Sequence, residues 1–168
     1  MTKRIPQAIL AALACALMAG CSGMNENNLK FRNVEQVKEN ARKASSEVLG
    51  IISLKGKATE GGPLIAPCSN YPEGVYRASH PWSVYGVPVE EMEKAMDRLR
   101  TGLPKNGWKI IKDGNDESPS KSPQIVANSK GDEFSVDIRL HDERKYGSDP
   151  SLIEVTVESA CFKTKQPD

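Results

Sequence analysis

The sequence predicts an α+β domain, a two-layer sandwich of a mainly antiparallel sheet with helices packed on one face, in the order α-β-α-β-β-β-β. Three observations lead there. Apolar residues recur at helical spacing over residues 34–54 and again over 88–103, so two helices each bury one stripe. Residues 133–141 and 152–162 instead alternate apolar and polar, the period of strands with one face inward. The run 124–128 joins 133–141 through Asn128-Ser129-Lys130-Gly131-Asp132, a hairpin signal, and polar alternate positions suit a sheet with one side in water.

Each element has its own justification. Asn33 stands as an N-cap before Val34, Val37, Ala41, Ala44, Val48 and Ile51, with Glu35, Lys38, Glu39, Arg42 and Lys43 between them. This stripe lacks the basic face and aromatics of a membrane-surface helix, so it is expected to pack on the domain. Residues 55–67, with Gly56, Gly61, Gly62 and Pro63, read as a loop delivering the chain to Cys68. Val75 to His80 is extended. Pro88 suits the first position of the second helix, which buries Met92, Ala95, Met96, Leu99 and Leu103. Glu90 and Glu91 near its start and Arg98 and Arg100 near its end complement the helix dipole, and Pro104 and Gly107 stop it.

Residues 108–112 read as a strand, Asp113-Gly114 as a turn, and 115–123 as a mobile Ser/Pro-rich loop. In the hairpin, Phe134, Val136, Ile138 and Leu140 face inward, with Ser135, Asp137, Arg139 and His141 outward. After a longer turn over 144–150, Ile153, Val155, Val157, Ser159 and Cys161 share one face, so Cys161 is expected to end the buried side of the last strand.

Composition bounds the function classes. The chain has 168 residues, a natural length for one domain, and is 38% hydrophobic with a formal charge of +1. Those averages hide an apolar start that also holds Lys3 and Arg4. From Cys21 onward the balance is 21 basic against 22 acidic side chains, which excludes a polybasic nucleic-acid binder. Leu, Ile, Val and Phe make up only about a fifth of that part, the edge of what a packed core needs.

The start is an address. Lys3 and Arg4 precede an apolar run from Ala8 to Ala19, too short against the roughly 20 residues of a membrane-spanning helix. It ends Leu17-Met18-Ala19-Gly20-Cys21, with Met18 where Leu is usual. This resembles the lipobox of bacterial lipoproteins. The resemblance implies cleavage before Cys21, a diacylglyceryl group on its thiol, acylation of its amino group, and anchoring to the cell membrane on the extracytoplasmic side. Membrane lipid is then the first partner. The alternatives are an ordinary cleaved signal with an incidental Cys, or cleavage at Cys15 after a much shorter apolar run. The expected domain plan is a signal peptide at 1–20, a tether at 21–33, an α+β domain at 34–163 and a polar tail at 164–168. Within the domain lie an amphipathic helix (34–54), a loop (55–67) and a disulfide-closed core (68–162).

With Cys15 removed and Cys21 lipidated, Cys68 and Cys161 remain, and a lone pair in an exported protein favours one disulfide. A reactive thiol or a metal site is the alternative, without a CxxC partner or nearby His to support it. Residues 68–162 are also similar to small lipoproteins common in actinobacteria, through Pro67-Cys68, Leu103-Pro104-Lys105-Asn106-Gly107-Trp108 and Ser159-Ala160-Cys161-Phe162. That family has no assigned activity, and the resemblance supports the disulfide and the domain limits.

Catalytic signals are sparse. His141 shares an outward face with Asp137 and Arg139, which would suit a general acid/base or metal site, or merely a solvated strand end. Ser118-Pro119-Ser120-Lys121 matches the SxxK string of penicillin-binding proteins, but in a Ser/Pro loop without the companion motifs. Adjacent carboxylates such as Glu90/Glu91, Asp116/Glu117 and Asp142/Glu143 diverge, so glycosidase acids are not assigned from them. No catalytic residue, metal ligand or cofactor is expected.

One cluster is unusual: Tyr71, Tyr76, Trp82 and Tyr85, together with Arg77 and His80, in a Pro- and Gly-punctuated stretch. Exposed, Tyr76, Arg77, Trp82 and Tyr85 would form a ligand or partner surface able to stack on sugars; buried, Trp82 would plug the core. The functional expectation is a non-enzymatic, lipid-anchored envelope binding module whose partner is an envelope protein, cell-wall glycan or small ligand. A deep pocket joining His141, Asp137 and Arg139 would favour a cell-surface hydrolase or metal-dependent enzyme, and a flat, open sheet face would count against it. A structural spacer would bury Trp82 and Tyr85 and have no concave surface.

Overall fold

The computed structural model describes residues 29–164, apart from 60 and 148 and the side chain of 132. The expected signal segment 1–20, Cys21 and residues 165–168 of the expected tail lie outside the described residues, whereas Thr164, the first residue of that tail, belongs to a strand. No described helix is long and apolar enough to cross a membrane.

Two helices pack on one mainly antiparallel sheet of nine strands, an α+β fold. The elements are β1 (Phe31–Arg32), α1 (Val34–Ile52), β2 (Lys57–Ala58), β3 (Leu64–Pro67), β4 (Val75–Tyr85), α2 (Val89–Lys105), β5 (Lys109–Asn115), β6 (Pro123–Asn128), β7 (Phe134–His141), β8 (Leu152–Ser159) and β9 (Phe162–Thr164). The sheet order is β1-β9-β4-β8-β7-β6-β5, with β2 and β3 on the other side of β4. Among the described strands only β1 and β9 pair in parallel.

The helices close as their sequences require. Asn33 caps α1, its side chain accepting from the Gln36 N–H at 3.1 Å. Val37, Ala41, Val48 and Ile52 are buried, and Ser45 joins them. The last turn of α1 has no cation of its own; Arg98 of α2 supplies one, donating to the Ile52 carbonyl at 2.6 and 3.0 Å. Where the helices meet, Gly102 leaves room for Ile51, whose Cγ2 would lie 2.5 Å from an added Cβ.

α2 does not stop at Pro104. It continues to Lys105 and closes with the Gly107 and Trp108 amides bonded to Pro104 and Leu103 carbonyls. This pattern needs a left-handed residue, which Gly107 supplies at φ 83°. Trp108 then packs inward, its indole N–H donating to Glu47 at 3.0 Å.

The inner sheet face presents Ala78, Trp82 and Val84 on β4, Ile153, Val155 and Val157 on β8, Val136, Ile138 and Leu140 on β7, and Ile125 and Ala127 on β6. Against it lie Met92, Met96, Leu99 and Leu103 of α2 with the α1 stripe.

Several local expectations change. The segment 55–67 is not simply a loop, because β2 and β3 within it pair with β4. The aromatic stretch is likewise not loop-rich. Most of it is β4, eleven residues long with Pro81 inside it. Pro81 is tolerated because Ser83, two residues on, directs its N–H and C=O toward Thr59, so Pro81 directs its nitrogen to the same side. There, among the described residues, no ladder partner faces Pro81: β3 pairs along β4 no further than Ser79, and β2 pairs only from Val84. Asp113-Gly114 continues β5 instead of turning, and a bulge between Ile110 and Lys112 leaves Ile111 55% exposed. Phe31 and Arg32, inside the expected tether, pair with Lys163 and Thr164.

The final run is split. Ser79 faces Glu158 but Tyr76 faces Phe162, so one extra residue is inserted on the β8–β9 side. This bulge flips the alternation, and Phe162 rather than Cys161 enters the core. The Ser159 hydroxyl repairs the interrupted ladder, accepting from the Ala78 N–H and donating to the Ala160 carbonyl, both at 2.9 Å. Cys161, half-buried at the bulge, is joined to buried Cys68 with Cα atoms 6.3 Å apart.

Candidate binding cleft

The aromatic cluster is divided by strand alternation. Trp82, 8% exposed, packs in the core beside Val155, whereas Arg77 and Tyr85 lie on the outer row with Ser79, Pro81 and Ser83. Tyr76 is half-buried against the core. Arg77 pairs with Glu158 at 3.2 Å. The four residues therefore form no single stacking platform, because neighbours along a strand point to opposite faces.

His80 is also internal. Its Nδ1 lies 2.8 Å from the Ser45 hydroxyl between β4 and α1. Burial, foremost, holds its pKa below the ordinary imidazole value, with Arg42 acting the same way and hydrogen bonds to backbone at Gly61 and Ala41 opposing them.

The outer face of the sheet holds two polar groupings. The first surrounds Asp137, which accepts from Gln124 at 2.8 and 2.9 Å and from Arg139 at 2.9 and 3.2 Å. Nearby, buried Asp116 accepts from the Ser118 hydroxyl and from the Ser118 and Ser122 amides. These bonds, the Ser118 hydroxyl first, hold its carboxyl below the usual range. The Ser118–Lys121 string thus sits in a turn organised by Asp116.

The second grouping lines a cleft of about 700 Å³. Its floor is Pro81 and Ser83 of β4 with Trp82 between them, Leu152 and Glu154 of β8, and His141 of β7, and Thr59, Glu143, Asp149 and Pro150 complete the lining. His141 Nε2 lies 2.9 Å from Glu154 Oε2. The cleft includes His141 but neither Asp137 nor Arg139, and among its described lining residues none is Lys or Arg. Glu154 stands opposite Ser83 and on the strand between Ser83 and His141. The carboxylate therefore separates hydroxyl from imidazole, the reverse of the order in a nucleophile–base–acid relay.

Leu152, Glu154 and Pro150 were not singled out from sequence, although the alternation of β8 already turns Leu152 and Glu154 outward. The pairing of Leu152 with His141 and of Glu154 with Ser83 builds the floor. That register depends on the 142–151 turn, whose Glu143 N–H is held by the Ser151 hydroxyl and whose Arg144 pairs with Asp142 and Glu90.

Position in the fold gives the cleft a direction. β4 begins beside β9, and β9 carries β1, where the described chain starts. From Val75 to Ser83 is eight residues, roughly 26 Å along the strand. The cleft and the N-terminal strand thus sit toward opposite ends of β4. Comparison of the chain with protein-family models, with curated proteins and with solved structures finds no match.

Proposed function

We propose that the chain is an exported, lipid-anchored envelope module that binds a partner through the cleft floored by Ser83, Leu152, Glu154 and His141, without catalysing a reaction on it. The observation that carries this reading is the cleft's position, roughly 26 Å along β4 from the strand that follows the Cys21 segment. A lipid on Cys21 would hold β1 toward the membrane and leave the cleft directed outward. The burial of Trp82 removes the stacking platform, so shape and the polar groups at the rim carry recognition. The partner is an envelope protein or a soluble ligand with hydrogen-bonding groups for Glu154 and His141.

Photo-crosslinking in cells tests the reading. A crosslinking residue at Leu152 of the full chain should capture a discrete partner, and one at Lys94, exposed on α2, should not. Identical patterns at both positions would remove the cleft from the proposal. Cys21→Ala should abolish lipid labelling and leave precursor or released protein; unchanged labelling would refute the anchor.

A further inference from the structure

We infer that the β1 end of the sheet is a membrane-resting surface, with Phe31 inserted among the lipid headgroups. This inference rests on the lipid anchor at Cys21. Phe31 is 64% exposed, although strand pairing holds its backbone against Lys163. It is the shared ridge of two open grooves of about 490 and 610 Å³, one toward Glu35 and the other toward Glu73 and Lys163. A large aromatic side chain fixed on a paired strand and left in water is a pre-ordered anchor for an apolar environment.

The position in the chain names the occupant. Phe31 follows Cys21 by ten residues, which span at most about 36 Å when fully extended. An acylated Cys21 would confine Phe31 to that distance from the bilayer. Tethering raises the local lipid concentration, which makes contact of Phe31 with the bilayer an intramolecular event. The surrounding charges are nearly balanced. Arg32 and Lys30 lie 2.8 and 3.7 Å from Glu133, and Lys163 shares its groove with Glu73. The contact is therefore apolar rather than polybasic, and its salt dependence is weak. Resting on this end turns the cleft away from the membrane.

The test uses the mature full-length chain, lipidated at Cys21, in phosphatidylethanolamine/phosphatidylglycerol vesicles. Trp82 and Trp108 are buried, so the emission added by Phe31→Trp reports position 31. Brominated acyl chains should quench that added emission and leave the unsubstituted chain unchanged, with the same result in about 1 M salt. Independently, vesicles should slow amide exchange at residues 31–32 and 162–164 of the unsubstituted chain, and Phe31→Ser should abolish that slowing. Lipid found on Cys21 by mass spectrometry, with position 31 unquenched and exchange unchanged, overturns the docking while leaving the anchor standing. Quenching lost in high salt overturns its apolar character. An unlipidated Cys21 overturns both readings together.

Discussion

Replacing Cys68 and Cys161 together by Ala probes how a domain with a thin core is kept folded. The bridge spans a sequence separation of 93. In the chain-entropy description, closing a loop of that length stabilises the fold by about 4.7 kcal/mol at 25 °C, by restricting the unfolded chain. The native side changes little, because the Cys68 N–H remains bonded to the Val75 carbonyl at 3.0 Å and Phe162 still fills the core. With about 130 residues in the folded unit at about 2.1 cal/mol/K each, unfolding entropy is roughly 0.27 kcal/mol/K, so Tm should fall by about 17 °C. Trp82 and Trp108 are both buried, and their emission will follow urea unfolding of the chain. The midpoint should drop and the m-value should rise, since the uncrosslinked unfolded chain exposes more surface. A loss below about 1 kcal/mol with an unchanged m-value would refute the reasoning, because the bridge would then not act on the unfolded state.

Other residues make sharper local tests. Gly102→Ala should destabilise by about 1–3 kcal/mol despite the better helix propensity of Ala, because its Cβ meets Ile51; a more stable variant in urea melts would show that the α1–α2 contact yields freely. Ser159→Ala leaves the Ala78 N–H without its partner at the bulge and should cost about 1–3 kcal/mol, with faster exchange of that amide; unaltered exchange would contradict it. For His80 the folded pKa lies below the ordinary 6.5, so the unfolded chain takes up the proton first. Its contribution to stability is fully present above pH 6.5 and is lost as pH falls toward the lowered folded value. Urea midpoints should decline from pH 7.5 to 5.5, less steeply in His80→Gln; parallel declines would exclude His80 as the source.

Elements with long, regular periodicity are legible without coordinates. The stripes of α1 and α2 and the alternation of β7 and β8 each repeat a local rule, and those rules place Val37, Met92, Val136 and Val155 correctly in the core. Short strands are different. β2 and β3 carry too few residues to show a period, and they exist because β4 offers them an edge. Pro81 is acceptable inside β4 because the pairing of β2 and β3 is interrupted on the side its nitrogen faces.

The outer face shows the same division. Alternation along β7 already sets His141 outward, but nothing local says which side chains stand across from it. Register supplies that answer, bringing Leu152 and Glu154 of β8 beside it and Ser83 of β4 beyond them. The scattered aromatics read as a cluster because they are close in sequence. In the sheet, adjacent residues diverge, and Trp82 goes to the core while Tyr85 does not.

By itself, then, the sequence determined the α+β class, the two helical stripes and the outward row of β7, since each depends only on spacing along one segment. Its four cysteines also singled out Cys68 and Cys161 as a pair, which the structure joins. Tertiary structure alone decided the bulge after Ser159, the replacement of Cys161 by Phe162 in the core, and the cleft built from three strands. These depend on pairing between distant segments, where a one-residue slip reverses every side chain that follows.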